Sequence, residues 1–283
     1  MSKVAIVTDS TTYIPQEFLE IYPIKIVPAS LIWSGKVLLD GIDIQPAAFY
    51  ARLRTSYELP TTSQPTPKAF QEEFEKLLAQ GYDVLGVFLS SKLSGTFASA
   101  EQALKKMPNK AITIIDSLTG SMGAGWPILS AAKAAVQGAS LEECRSIVEK
   151  ALKNVGILLV PDSLEYLQRG GRIGRAQRFV GDILQVRPIL EVVEGSFIGL
   201  ERVRTTPKAL NRMLEILAVR IENLRPIHLG VLHADAQEKA QQLLIKAENR
   251  LKPEETLIAD VSPAVGSHLG PGTVGFAYMA GIQ

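Results

Sequence analysis

Short apolar runs alternate along the chain with amphipathic stretches of helical period. Residues 3–8 (KVAIVT), 84–89 (VLGVFL) and 111–116 (AITIID) are dense in apolar and β-branched side chains, as expected of strands buried on both faces. Between them, apolar residues recur at helical spacing: Phe70, Phe74, Leu77 and Leu78 follow a Thr66-Pro67 start, and Phe97, Ala100, Leu104 and Met107 follow Gly95-Thr96. This succession predicts a parallel sheet with right-handed crossovers. All three strands run into polar loops, at Asp9–Thr12, Ser90–Thr96 and Asp116–Ser117. A parallel sheet places these loops along its carboxyl edge, where open α/β sheets bind ligands.

The remaining pattern fills in two halves. A short helix is expected from Pro15 to Tyr22, a strand-like stretch over 24–33, a hairpin arm with glycine turns over 34–44, and a helix from Pro46 to about Leu53. Residues 54–65 read as a long polar loop. LTGSMGAG (118–125) reads as a loop before a helix over 126–136, and Ser140 with Glu143 has capping-box spacing. After the apolar strand GILLV (156–160) the character changes. A short helix LEYLQ leads into an arginine-rich turn. Residues 187–203 then read as a hairpin turning at Glu194-Gly195-Ser196, and Thr206-Pro207 opens a helix to about Asn223. A strand over 227–233, a helix from Asp235 to Arg250 with Glu238 in a capping box, and a strand over 255–261 follow. The expected fold class is α/β in two domains: an N-terminal open parallel α/β sheet over 1–158 and a C-terminal α+β domain over 159–283.

Composition narrows the classes. The 283 residues are 46% hydrophobic and carry a formal charge of +1, so nothing points to nucleic acid, and any anion recognition is local. The single Cys144 excludes a disulfide scaffold or a cysteine metal site. No basic start precedes an apolar segment of signal type, and no run of about 18 apolar residues occurs. The expectation is a cytoplasmic protein with no transmembrane segment.

Candidate chemistry gathers in few places. Residues 90–96 offer the Ser90, Ser91, Ser94 and Thr96 hydroxyls beside the N–H groups of a helix start, which describes an anion cradle and equally an ordinary capped turn. His228 and His233, five apart on one strand, face opposite ways, and no histidine has a neighbour at metal-ligand spacing. His268 lies in a segment rich in glycine and proline, expected to be a rigid loop presenting one polar side chain. Gly270, Gly272 and Gly275 spell G-x-G-x-x-G, yet no apolar strand directly precedes them and too little chain follows for a dinucleotide site. The P-loop pattern is missing. A hydrolase built on Ser94, His268 and Asp9 or Asp116 is conceivable, without a G-x-S-x-G elbow to present the serine. Arg169, Arg172, Arg175 and Arg178 form the one local concentration of charge, either soluble arginines on a turn or a patch for an anionic partner.

These residues also carry a resemblance. Val7-Thr8-Asp9-Ser10, Thr62-Ser63-Gln64-Pro65, Ser90 through Thr96, Asp116-Ser117, Tyr166-Leu167 with Gly170-Gly171-Arg172-Ile173, Arg187-Pro188-Ile189-Leu190, and His268 with Gly270-Pro271-Gly272 match the DegV family in order. Arg187 stands where lysine is common in that family, and Thr273 where alanine is usual. The resemblance implies a fatty-acid-binding protein, the acyl-presenting subunit of a bacterial fatty acid kinase. It has no catalysis of its own, no cofactor and no metal. It implies a ligand-binding set of Thr62, Ser63, Ser94, Gly95, Thr96 and His268, with Arg172 facing the kinase subunit. The implied partners are a long-chain fatty acid and that kinase, with transient contact to a membrane surface and a place in phospholipid metabolism. The alternative is a serine hydrolase acting on a lipid or ester through Ser94 and His268.

Overall fold

The structure, a computed structural model, describes residues 3–108, 110–179 and 186–282. Its first half contains β1 (Lys3–Asp9) followed by a 3₁₀ turn (Ser10–Thr12), α1 (Gln16–Ile21), β2 (Ile24–Val27), β3 (Ser30–Trp33) and β4 (Lys36–Leu39). Next come α2 (Pro46–Thr55), β5 (Thr61–Ser63), α3 (Pro67–Ala79), β6 (Tyr82–Phe88), α4 (Thr96–Lys105), β7 (Ile112–Asp116), α5 (Ser121–Val136) and α6 (Leu141–Ala151). The second half holds β8 (Val155–Val160), α7 (Glu165–Arg169), β9 (Arg187–Val193), β10 (Ser196–Val203) and α8 (Thr206–Arg220). It closes with β11 (Ile227–His233), α9 (Gln237–Leu251), β12 (Glu255–Asp260), α10 (Pro263–Leu269) and β13 (Val274–Ala280).

The expected parallel sheet forms with strand order β2-β1-β6-β7, and its three polar loops share one edge. Its outer face is covered by α3 and α4, where Phe70, Phe74 and Leu77 pack with Ala100 and Ala103 on Val7, Val84 and Phe88. A second sheet, ordered β10-β9-β8-β13-β11-β12, is antiparallel except for β11 with β12, and α8 and α9 cover its outer face. A division between residues 158 and 159 falls inside β8, which pairs along its whole length in this second sheet. Between the two sheets lies the largest core, centred on α5, where the buried Trp126 donates its indole N–H to the Ala277 carbonyl at 3.2 Å. A small antiparallel sheet, β4-β3-β5, flanks this layer.

Several local expectations need correction. The polar loop over 54–65 contains β5, which pairs with β3, and the stretch over 24–33 breaks at Pro28-Ala29 into strands of different sheets. Helix α5 begins at Ser121, five residues before Trp126, so most of LTGSMGAG is helical. Its glycines serve close packing: a Cβ on Gly123 would stand 2.6 Å from Thr119 Oγ1 and 2.8 Å from the Ile157 side chain. The Ser140 and Glu143 capping box is present in full. The one expected at Asp235 is not. Helix α9 has Ala236 at its N-cap with no side-chain bond, and Asp235, at φ 55°, instead pairs with Arg54 of α2. Finally, His268 lies in the last turn of α10, not in a loop. Ser262 caps that helix by accepting from Val265 N–H, and Pro263 occupies its first turn.

Candidate functional site

Three supports converge between the sheets. On β5, Thr62 is opposite Leu31, whose side chain is fully buried, so Thr62 takes the inward face. Helix α10 brings in His268 and is closed behind it by Thr273, whose hydroxyl donates to the Leu269 and Gly270 carbonyls. The Thr62 hydroxyl and His268 Nε2 meet at 2.8 Å. At the start of α4, Ser94 Oγ lies 2.9 Å from Thr96 Oγ1 and accepts from the Thr96 N–H at 3.3 Å.

These groups stand at the head of a cleft of about 890 Å³, counting the part open to solvent. Thr62, Ser63, Ser94, Thr96, His268 and Arg172 all line it. Gly95 does not; its α-carbon packs beneath the Gln64 amide, where an added Cβ would stand 3.0 Å from Nε2. Thr11, Gln64 and Ser121 add further polar groups, and the rest of the wall is mostly apolar, with Leu89 and Leu93 after β6, Ile157 and Leu159 of β8, Val192 and Phe197 of the β9–β10 hairpin, and Leu232, Val261, Val265 and Leu269. A mostly apolar cavity with few convergent polar groups is the general form of a small-molecule site.

Among the described residues, Arg172 is the single lysine or arginine lining the cleft. Half-buried, it donates from Nε to the Leu93 carbonyl at 3.1 Å and from Nη1 to the Gly170 carbonyl at 2.6 Å. Burial, with the Arg172 charge second, pushes His268 down from 6.5 to about 4. Its ring is therefore neutral at neutral pH. Nδ1 has no hydrogen-bond partner and faces the Gly170 α-carbon, a place that suits a bare nitrogen better than an N–H. With the proton on Nε2 donated to Thr62, the Thr62 hydroxyl hydrogen is left to donate into the cleft. The pKa is depressed, so the stability linked to neutral His268 is whole above about pH 6.5 and is lost as pH falls through about 4. Its ring signals in an NMR titration should accordingly stay unchanged from pH 8 to about pH 5, and Arg172→Gln should move the midpoint upward by removing the neighbouring charge.

Among the described residues the hydrolase constellation does not assemble: Ser94 is bonded to Thr96, His268 to Thr62, and no carboxylate orients the ring. His228 is satisfied by Glu255 at 3.0 Å. Among the described residues, no group of three or more His, Cys, Asp or Glu side chains is placed to hold a metal ion. Of the arginine series, Arg169 pairs with Glu165 and Arg178 donates to the Gly199 carbonyl.

A family model described as "Uncharacterised protein, DegV family" matches residues 3–281. The chain belongs to the DegV family. A DegV domain-containing protein of Clostridium perfringens is 36% identical over 282 residues, covering 97% of this chain and 98% of the relative. Among solved structures, a fatty-acid-binding DegV family protein from Thermus thermophilus superposes with a TM-score of 0.93 at 32% identity, covering 98% of this chain and 99% of that one. DegV of Bacillus subtilis, a fatty acid binding protein, gives 0.89 at 32%, covering 99% and 100%.

Four of the DegV motifs quoted from the sequence put residues on this one cleft, through Thr62-Ser63-Gln64, Leu93-Ser94 with Thr96, Arg172 and His268, which lie up to 206 positions apart; Val7–Ser10, Asp116-Ser117 and Arg187–Leu190 do not line it. Gln64 was legible as the third residue of Thr62-Ser63-Gln64-Pro65. The place of Arg172 inside the cleft was not, because a turn arginine gives no sign of which way it folds. Nor were the apolar wall residues, since alternation marks a side chain as buried without saying whether it meets core or cavity.

Proposed function

We propose that this DegV protein binds a long-chain fatty acid in the cleft and presents the carboxylate to a separate kinase subunit for acyl-phosphate formation. One observation carries the reading: a mostly apolar cleft ends in the Thr62 and Ser94 hydroxyls, a neutral His268 and the Arg172 guanidinium. Fatty acid binding by its relatives supports it.

Tail and head divide the work. Burying about 15 methylenes at about 0.8 kcal/mol each gives roughly 12 kcal/mol gross, before the cost of association. The tail supplies affinity. Each hydrogen bond to the charged head adds about 1.5 to 3 kcal/mol and selects a carboxylate over an ester. Arg172, with one side on the cleft and the other toward solvent, supplies counter-charge and stands at the face offered to the kinase. Thr62, Ser63, Ser94, Thr96 and His268 fix the position of the carboxylate, and the chain makes no bond by itself. We place it in the cytoplasm, with transient contact at a membrane surface; among the described residues no helix is long and apolar enough to cross a membrane.

Protein purified natively and extracted with organic solvent should release fatty acid detectable by mass spectrometry, and added fatty acid should raise the melting temperature. Empty protein with no lipid-induced shift would end the proposal. Ser94→Ala combined with His268→Ala should cut kinase-dependent phosphorylation about tenfold or more while weakening chain binding less, and equal losses would contradict the division between tail and head.

A further inference from the structure

We propose that Asp40 is a positioning residue for the head-group site, holding α10 so that His268 stands against Thr62. The inference rests on the cleft being a fatty acid site and concerns a residue outside it. Asp40 follows β4 and is 1% exposed. Its backbone N–H is fixed to the Ala29 carbonyl at 2.9 Å. Its carboxyl accepts from Ser10 Oγ at 2.7 Å and from the Ala264 N–H at 3.4 Å, and the Ser262 hydroxyl bonds to it as well. Ser10 Oγ in turn accepts from the Ala29 N–H at 3.1 Å, so the single Ser10 proton is committed to Asp40. One side chain therefore joins the turn after β1, the small sheet that carries Thr62, and the first turn of α10.

Helical geometry carries that tether to the site. His268 lies four residues after Ala264, one turn further along the same face and about 6 Å up the axis. A seven-residue helix has little stability of its own, so its ends are set by what holds them. On the far side Tyr50 donates to the Val261 carbonyl at 3.0 Å and packs on Gly266, where a Cβ would stand 2.3 Å from its hydroxyl.

The charged groups around Asp40 give the device a measurable sign. Asp9 from β1, Tyr13 after the 3₁₀ turn and Tyr50 from α2 face it, together with the Ser10 and Ser262 hydroxyls, and Asp260 from β12 acts on the same two tyrosines. Burial pushes the Asp40 carboxyl up to about 7; the hydrogen bonds oppose this, and Asp9 adds to it. The ionised form accepts from all its donors, whereas the neutral form must place a proton of its own, so the tether tightens as pH rises through about 7. Folding stability runs the other way. A carboxyl with a raised folded pKa stabilises most below its unfolded value of 3.8 and loses that contribution as pH rises through about 7. Affinity rising while stability falls is a pattern that simple unfolding does not produce.

The test titrates full-length protein with stearate by displacement of a fluorescent fatty acid from about pH 6 to about pH 8, above the ordinary range of the ligand carboxyl, with melts at each pH. Wild type should gain about threefold or more in affinity over that range, while Asp40→Asn should be flat, about tenfold weaker at the upper end, and shifted in its His268 NMR signals. Ser10→Ala, which keeps the carboxyl but removes a donor, should weaken affinity in the same direction by less. A flat wild-type profile, or a folded Asp40→Asn with wild-type affinity and unmoved His268 signals, would overturn the inference. If Asp40→Asn does not fold, the wild-type profile and Ser10→Ala decide. If wild type binds no stearate, the fatty acid reading fails, and the His268 signals of Asp40→Asn still test the tether separately.

Discussion

Gly170→Ala should lower fatty acid affinity about ten- to a hundredfold while leaving the fold intact. Gly170 sits at the end of α7 with φ −74°, a conformation that alanine adopts freely, so its backbone needs no adjustment. The space is the obstacle. An added Cβ would stand 2.1 Å from His268 Nδ1 and 2.9 Å from its Cε1, with the Tyr166 carbonyl at 3.1 Å on the other side. The imidazole must turn away and give up Thr62, so the hydroxyl that donates to the charged head loses the bond that aims it, and up to the full about 1.5 to 3 kcal/mol of that head-group bond is at stake. Gly171→Ala is the matched control. Gly171 has φ 69° and nothing within 4 Å, so alanine there costs about 1 kcal/mol of backbone strain and leaves the site untouched. Stearate titrations and melts of both variants separate the effects: Gly170→Ala loses binding at near-normal stability, and Gly171→Ala loses some stability at near-normal binding. Equal affinity in the two would contradict the packing of His268 on Gly170.

Asp9→Ala should cost about 3 to 5 kcal/mol of folding stability, seen as a fall in melting temperature on the order of 10 °C. Asp9 is wholly buried at the end of β1. It accepts from the Leu89 N–H at 2.8 Å, from the Thr11 N–H at 3.0 Å and from the Thr11 hydroxyl. It thereby ties the turn after β1 to the end of β6, and truncation leaves those donors unpaired in the interior. Burial raises the Asp9 carboxyl, with these bonds opposing, so its stabilising contribution is complete in acid and declines as pH rises. The gap between variant and wild type should therefore narrow from acid toward neutral pH in a series of melts. Leu89 and Thr11 both line the cleft, so ligand affinity should fall with the same substitution. A variant melting within a degree or two of wild type would contradict the role given to Asp9.

Much of this architecture was legible without coordinates, for physical reasons visible in particular residues. The β-branched runs at 3–8 and 84–89 can satisfy their backbone and bury both faces only as central parallel strands, the run at 111–116 adds a half-buried parallel strand at the edge, and the shared strand direction then puts their loops on one edge. The Thr66 and Ser140 caps worked as read because their bonds close within three residues. Asp235 failed as a cap because a distant partner, Arg54, competed for it. The helix bearing His268 was hidden by its glycines. Ser262-Pro263 is the same start signal as Thr66-Pro67, but Gly266 and Gly270 read as loop until Tyr50 is seen to need the space at Gly266. β5 was missed because Thr61-Thr62-Ser63 gains its strand conformation from pairing with β3, a non-local contact that a polar tripeptide does not announce.

By itself, the sequence determined the strands and helices of the parallel sheet, the polar edge where they end, and the hydroxyls and histidine available for an anion, since each depends on side-chain period or on bonds a few residues long. Only the tertiary structure decided that Thr62 and His268, 206 positions apart, touch at 2.8 Å, that Arg172 turns inward, and that Asp40 reaches the helix of His268. Those facts depend on how two sheets close around α5, and no local pattern encodes a distance between elements so far apart along the chain.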